Sequence, residues 1–400
     1  MHILLIHQAF VAPSEAGGTR HIELARHAVA SGHQVTIVAS TLNYLTGEHR
    51  QASDAEVYDG VRVHRVYAYP SLHRSFIWRV VTFLSFMCSS VIAALRMRDV
   101  DVVMGTTPPL FQACSAWLVA AVRRRPFLLE VRDLWPEFAI GMGVLTNPVL
   151  IRVARALEHF LYRRATRILV NSPAYVTYLE QHGVPPAKIA FIPNGVDPAM
   201  FDPEASQADA RAALGIGRGY VVTYAGAMGQ ANDLGVVIDA AARLRDRPGV
   251  ILLMVGDGKE RAGLERRATA EGLDNVRFLG ARPKHEMPLV LAASDACLAI
   301  LQDIPEFRTT YPNKVFDYMA AGRPTVLAID GVIREVIDDA GGGLFVAPGD
   351  AAALAAAIRT LADDPEEGRR MGRRARAHVE QRFDRRAHAA AFVRLVESLR

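Results

Sequence analysis

The rest of the chain is best read outward from Tyr311-Pro-Asn-Lys-Val-Phe-Asp-Tyr-Met-Ala-Ala-Gly-Arg-Pro-Thr325. Pro312-Asn313 turns the chain. From Lys314 to Ala321 the apolar residues Val315, Tyr318 and Met319 fall at helical spacing, which predicts a short helix with those three on a core. Gly322 fits the residue after its end, and Pro324 stops continuation. Lys314 and Asp317 lie three apart and share one face of the first turn. A polyphosphate is held by a cation together with the free N–H groups of a helix start. Ribose hydroxyls are held by a carboxylate. The same spacing also allows a solvated surface ion pair.

The 400 residues exceed what one hydrophobic core supports, so two domains are expected. Half the residues are hydrophobic and 22% are charged, a globular composition. The net charge of +4 allows an anionic partner such as a nucleotide, a pyrophosphate or a phospholipid surface. No nucleic-acid-binding motif appears, so no nucleic-acid partner is expected. Cys88, Cys114 and Cys297 are odd in number and scattered, with neither disulfide nor metal-ligand spacing. They predict a reduced, cytoplasmic chain without a bound metal. Met1 to His7 reads as a strand rather than a signal peptide.

Taken in order, the first half alternates strand and helix patterns. A strand from His2 to His7 leads through a loop ending in Gly17-Gly18 to a helix from Arg20 to Ser31, for which Thr19 is a candidate cap. A strand from Gln34 to Ser40 completes a unit of the kind that binds nucleotides, although no GxGxxG is present. Further strands are expected at Val61–Tyr67, Val100–Gly105, Phe127–Val131, Arg167–Asn171 and Ile189–Ile192, with helices at Leu110–Arg123, Val149–Ala165 and Ser172–Gly183. Arg132 and Asp133 follow one of these strands. In an open parallel sheet ligands bind outside the carboxyl ends, so Asp133 stands where an acceptor hydroxyl or a developing positive charge could meet a carboxylate, unless it caps the following helix. Pro193-Asn-Gly-Val-Asp-Pro198 marks a domain boundary. Beyond it the grammar restarts: a strand from Tyr220 to Ala225, a turn at Gly226-Ala-Met228-Gly229, a helix, then a strand from Val250 to Val255 ending in Gly256-Asp-Gly258 before Lys259.

Phe76 to Leu95 is apolar, with Arg74 and Arg79 before or within it and Arg96 and Arg98 after. Its uninterrupted part, from Val80, is short of the ~20 residues a spanning helix needs. A buried domain helix and a helix lying at a membrane interface both fit; a spanning helix fits less well.

Tyr224-Ala-Gly-Ala-Met-Gly, Val255-Gly-Asp-Gly, Phe278-Leu-Gly, Pro193-Asn-Gly-Val-Asp and Asp317-Tyr-Met-Ala-Ala-Gly-Arg-Pro occur in one order and spacing. Together they resemble the retaining family 4 glycosyltransferases of GT-B fold. Gly17-Gly-Thr-Arg-His-Ile-Glu-Leu-Ala and Arg132-Asp-Leu-Trp-Pro are similar to the subgroup that builds O-antigen and capsule repeats, including N-acetyl-L-fucosaminyltransferases. The resemblance implies an α/β chain of two Rossmann-like domains facing across a cleft. Residues 1–194 would bind the acceptor, 195–382 would bind the nucleotide-sugar, and a last helix in 383–400 would cross back to the first domain.

The same resemblance implies the site. Gly17 and Gly18 would lie against the donor diphosphate, and Gly226, Met228 and Gly229 under it. Arg282 would belong to the segment that reads the base. Asn313 and Lys314 would meet the donor, and Asp317 would hold the ribose in place of the second glutamate of a Glu-x7-Glu motif. Arg20, Arg132 and Asp133 would serve the acceptor. Three departures stand out: Thr309 replaces the first glutamate, and Ala227 and Asn232 occupy the region of the family's Arg and Lys. Lys314, and also Lys259, are the local cations that could replace that charge.

The implied reaction transfers an amino or deoxy sugar from a UDP-linked donor, with Lys314 and Asp133 as catalytic residues and no cofactor or metal. The acceptor would be a glycan or a polyprenyl-diphosphate-linked sugar for cell-surface polysaccharide, met by a peripheral protein at the cytoplasmic face of the inner membrane. A non-hydrolysing UDP-sugar epimerase of related fold and a nucleotide-sugar-binding scaffold without turnover are the competing readings.

Overall fold

The computed structural model describes residues 1–13, 15, 17–42, 56–70 and 76–400, with the side chains of 76 and 77 excepted. Two compact units divide the chain between Pro193 and Asn194. The first also takes residues 386–400, and the second takes residues 14–17.

The first unit holds β1 His2–Ile6, α1 Arg20–Ala30, β2 Gln34–Ser40, β3 Glu56–Tyr58, β4 Val61–Val66, α2 Phe76–Arg96, β5 Val102–Thr107, α3 Leu110–Arg123, β6 Phe127–Val131, α4 Glu137–Gly141, α5 Pro148–Arg164, β7 Arg167–Val170, α6 Pro173–Gln181 and β8 Ile189–Phe191. Its eight strands run β3-β4-β2-β1-β5-β6-β7-β8. All pair in parallel except the β3–β4 hairpin at one edge. That hairpin closes at Asp59-Gly60, both with positive φ, a turn whose twist matches its strands. The sequence reading omitted β3 because three residues carry too little periodicity.

The chain winds one way from β1 through β2 to β4 and the other way from β5 onward, so the order reverses between β1 and β5. Such a switch point opens a crevice at the strands' carboxyl ends. Because helices cover both faces, β1, β5 and β6 are buried along their whole length.

The second unit repeats the plan with α7 Gln207–Ala213, β9 Tyr220–Ala225, α8 Gly235–Arg243, β10 Val250–Val255, α9 Arg261–Ala270, β11 Val276–Gly280, α10 Met287–Ala292, β12 Ala296–Ile300, α11 Asn313–Ala320, β13 Thr325–Ala328, α12 Val332–Ala340, β14 Gly343–Phe345, α13 Ala351–Asp363 and α14 Pro365–Arg382. Its six parallel strands run β11-β10-β9-β12-β13-β14, with the reversal between β9 and β12. The last helix, α15 Arg385–Glu397, sends Ala389, Phe392, Val393 and Val396 into the core that Ile3, Leu5, Ile22 and Ile37 form in the first unit.

Helix α2 spans 21 residues and ends one residue beyond the apolar stretch that closes at Leu95. By length and composition it could cross a membrane. Thr82, Phe86, Ser90 and Ala94 form a buried stripe at four-residue spacing. Trp78, Leu84, Ile92 and Leu95 stand exposed. The stripe is tied to the chain before the helix: Thr82 Oγ1 donates to the Tyr69 carbonyl at 2.8 Å, Ser89 Oγ to that of Tyr67 at 2.6 Å, and Tyr69 N–H to Ser85 Oγ at 2.8 Å. These bonds fix one face on the unit and leave the other apolar and uncovered. Arg74 lies outside the described residues.

Helix α5 carries a buried carboxyl, Glu158, 1% exposed. Tyr162 Oη donates to it at 2.6 Å and Tyr178 Oη at 3.5 Å. Burial pushes its pKa up to about 7. The folded state therefore keeps a proton that the unfolded chain releases above its ordinary value near 4.5. Stability from this group is complete at low pH and is lost as pH rises through about 7. Glu158→Gln, which cannot ionise, is expected to melt above the wild type at pH 8, with the gap closing by pH 5. Parallel melting curves at the two pH values check this.

Candidate functional site

In the second unit β9 and β10 end in glycine turns that lie backbone against backbone. Gly226 N–H donates to the Val255 carbonyl at 2.9 Å, Met228 N–H to that of Asp257 at 2.8 Å, and Glu260 N–H to that of Met228 at 2.9 Å. A Cβ at Gly256 would sit 1.8 Å from the Gly226 oxygen, and one at Gly258 2.5 Å from that of Met228. No other residue type fits there. Gly226 is glycine for a further reason: its Cβ would sit 2.7 Å from Lys314 Nζ. Lys314 thus reaches from the first turn of α11 onto this turn.

Its ammonium donates to Tyr224 Oη at 2.9 Å and to Asn232 Oδ1 at 3.3 Å, and stands 4.1 Å from the centre of the Tyr224 ring. The Tyr224 hydroxyl hydrogen goes to the Ala227 carbonyl at 2.5 Å, so its oxygen is left to accept from the lysine. Among the described residues no carboxylate pairs with Lys314, and desolvation pushes its pKa down to about 7. Helix α11 begins after Pro312 with no side-chain cap, so its first N–H groups carry the positive end of the helix dipole unopposed. A close-packed glycine turn, an uncapped helix start and an ammonium without a counter-ion together make a site for an anion of phosphate type.

Lys314 and Asp317 do not pair with each other. Asp317 Oδ2 takes Lys284 Nζ instead, while its Oδ1 is buried without a donor. Asn313 Oδ1, four residues earlier on the same helix, is also buried without one. Arg282 pairs with Glu286 at 3.1 Å, and Lys259 is exposed. Met228 corrects the expectation that it meets the donor: its side chain is buried in the core and its N–H and C=O are taken by the neighbouring turn. Gly17 has φ +147. A Cβ at Gly18 would meet nothing within 4 Å, so sterics give no reason for glycine there.

In the first unit the carboxyl end of β6 holds a buried charge cluster. Glu130 accepts from Arg20 Nε at 3.0 Å and from His21 Nε2 at 2.5 Å. Burial alone would raise its pKa; His21, Arg20 and Arg132 outweigh that and hold it well below the carboxylate range. Burial lowers the pKa of His21 and lowers that of His7 still further, and the two rings stand 4.3 Å apart. Arg20 corrects its acceptor assignment: it is 5% exposed, and its remaining nitrogens donate to the Pro193 and Ile192 carbonyls at 2.8 and 2.9 Å.

Arg132 is placed differently. Nε donates to Thr106 Oγ1 at 2.9 Å, and Nη2 stands 3.4 Å from His7 Nε2. Among the described residues no carboxylate forms an ion pair with it. Burial raises the Asp133 carboxyl above its ordinary pKa, with Arg132 opposing. A guanidinium and a carboxyl therefore stand together at the crevice end of the sheet.

The sequence reading missed His7, His21, Tyr224 and Lys284. The one available signal was Glu130, a charge inside the apolar run Phe127-Leu-Leu-Glu-Val131, which implies buried partners.

Residues 17–195 match the glycosyl transferase 4-like domain, and residues 206–378 the glycosyl transferases group 1 domain. The putative colanic acid biosynthesis glycosyl transferase WcaI of Escherichia coli is 26% identical over 320 residues, 77% of this chain and 78% of WcaI. The fold is that of sucrose-phosphate synthase from Thermosynechococcus elongatus, with a TM-score of 0.80 at 22% identity over 100% of this chain and 98% of that one. Anabaena HepE in complex with UDP-glucose superposes with a TM-score of 0.75 at 21% identity over the whole of both chains.

Only four lysines occur in the chain, at 188, 259, 284 and 314, so lysine-selective carbon labelling gives one resonance for each. One of them is expected to titrate near pH 7 and to vanish in Lys314→Met. Between that value and the ordinary 10.5 the unfolded chain binds the extra proton, so stability from this group rises with pH across the window. Four resonances that all titrate near 10 would show that Lys314 is not desolvated.

Proposed function

The chain is a glycosyltransferase of GT-B fold, and we propose that it moves a sugar from a UDP-linked donor to a glycan or polyprenyl-diphosphate-linked acceptor in cell-surface polysaccharide synthesis. The observation that carries this reading is the Lys314 ammonium, desolvated and without a carboxylate, set on the Gly226 turn. UDP-glucose in HepE supports the base. The colanic acid role in the name of WcaI supports the pathway class. The transferred unit is an amino or deoxy sugar, as the resemblance to O-antigen and capsule transferases suggests.

The donor diphosphate lies on the Gly226 turn and the start of α11. Asp317 takes the ribose through its unpartnered Oδ1. As the glycosidic bond breaks, negative charge gathers on the β-phosphate oxygen while the sugar gains oxocarbenium character. Lys314 and the α11 N–H groups stabilise that charge from fixed positions in a desolvated site. The acceptor hydroxyl attacks from the leaving-group face, so configuration is retained, and the departing phosphate oxygen takes its proton. In the first unit Arg132 binds the acceptor's anionic group and Asp133 orients its hydroxyl. Because Lys314 supplies the leaving-group charge, the reaction needs no metal.

Helix α2 brings the protein to its lipid-linked acceptor. Its uncovered side bears Trp78, Leu84 and Ile92, with Arg79 and Arg96 exposed near its two ends. Apolar area and cations together suit an anionic bilayer surface. On this reading the protein would bind peripherally at the cytoplasmic face of the inner membrane.

A panel of labelled UDP-sugars incubated with membrane lipid tests the reading. Sugar recovered on lipid or glycan is expected, and turnover persists in EDTA. Lys314→Ala should lose about a hundred- to thousandfold in kcat; near-normal kcat/KM would remove Lys314 from the mechanism. Flotation with anionic vesicles tests the surface: the wild type should rise at low salt and Leu84→Asp/Ile92→Asp should not. A wild type that stays at the bottom would dispose of membrane binding.

A further inference from the structure

The Asp317 carboxylate is an acceptor with one oxygen tied and one bare. Lys284 Nζ holds Oδ2. Oδ1 is buried and meets no donor. Both side chains are largely enclosed, at 15% exposure for Lys284 and 14% for Asp317. Lys284 is itself set in place: it follows Pro283 at the start of a short 3-10 turn, Lys284–Glu286, and its Nζ stands 5.6 Å from the centre of the Phe201 ring.

A free aspartate rotates about its last bond and presents either oxygen. One tied at Oδ2 presents Oδ1 in a single direction. That matters more for aspartate than for glutamate, because the shorter side chain cannot swing out to follow its ligand. We propose that Lys284 is a positioning residue for the donor nucleotide: by holding Oδ2 it aims Oδ1 of Asp317 at the ribose hydroxyls and so lets the site tell a ribonucleotide from a deoxyribonucleotide. The inference rests on the assignment of ribose to Asp317 under the proposed function. The ligand chemistry follows from the bare oxygen. A buried carboxylate oxygen lacking one donor is completed by a neutral hydroxyl, whereas a phosphate would be repelled. The phosphates belong to the Lys314 end of the helix.

Calorimetry with UDP, 2′,3′-dideoxy-UDP and inorganic pyrophosphate separates the parts. The wild type should prefer UDP to the dideoxy nucleotide by about ten- to a hundredfold, the range of hydrogen bonds to a charged group. Lys284→Met should weaken UDP by about tenfold and bring the two nucleotides to within about threefold of each other, with pyrophosphate binding unchanged. Lys284→Gln, which keeps a donor for Oδ2, should restore most of the preference. Lys284→Met combined with Asp317→Asn should lose no more than Asp317→Asn alone, because the lysine acts only through the carboxylate.

If the wild type shows no preference, the ribose assignment falls and the role of Lys284 with it. If the wild type discriminates and Lys284→Met discriminates equally, the ribose assignment stands and the positioning role is wrong. Should Lys284→Met fail to bind pyrophosphate, the Gln variant and the double variant decide: loss of preference in Lys284→Gln, or losses that add, would overturn the proposal.

Discussion

Placing an ammonium out of water without a carboxylate costs free energy that only a rigid surround can sustain. The second unit is built to sustain it at Lys314. The glycine turns after β9 and β10 interlock through backbone hydrogen bonds, and their closeness leaves room for Nζ against Gly226. The Tyr224 ring and hydroxyl and the Asn232 amide oxygen give the ammonium weak, neutral partners. None of these neutralises its charge. An anion that enters meets a cation not already spent on a salt bridge, in surroundings where attraction is stronger than in water. The rest of the proposed donor site depends on this arrangement, because the helix that carries Lys314 also carries Asn313 and Asp317.

Residue usage agrees with this. Of 46 basic residues only four are lysine. Arginine serves nearly everywhere a surface or structural cation is wanted, and at Arg20 it is buried with every nitrogen committed. A guanidinium keeps its proton whatever surrounds it and needs a broad planar berth. Nζ of Lys314 stands where a single methyl group on Gly226 would collide. Lys284 meets Asp317 in a largely enclosed place.

The strand and helix grammar was legible because buried parallel strands read as apolar runs and the glycine turns punctuate them. The α11 helix was legible down to its end: Gly322 takes φ +66 after it, as a C-terminal glycine should. Lys314 was legible as a cation in the first turn of α11. Its partner was not. Spacing of three put Asp317 on the same face, but side-chain pairs across the fold, Lys314 with Tyr224 and Asp317 with Lys284, involve separations of 90 and 33 residues. No local pattern encodes these. The same limit hid His7 and His21, which meet Glu130 and Arg132 only once β1, α1 and β6 are assembled. Arg20 was misread for a related reason: an arginine at a helix start beside a glycine pair looks free in sequence, and only the fold shows Glu130 beneath it. Met228 looked like part of a phosphate-facing turn, yet its side chain is buried in the core and anchors the turn from below.

The two units share an architecture and solve their electrostatics in opposite ways. In the first, the charge at the end of β6 is answered by neighbours: Arg20 and His21 satisfy Glu130, and the His7 ring stands beside His21. What remains unanswered is Arg132 beside Asp133, at the end of the sheet where a ligand can reach. In the second, the unanswered groups are Lys314, the start of α11 and one oxygen of Asp317. Folding alone would favour pairing every one of these, since an unmet charge or acceptor lowers stability. Under the proposed function a ligand completes them: a diphosphate with a ribose attached would supply anionic oxygens for the ammonium and N–H groups, and hydroxyls for the carboxylate. In the proposed reaction the ammonium would contribute most when charge on the leaving oxygen is greatest, so this half-finished electrostatic arrangement would stabilise the transition state more than the bound donor.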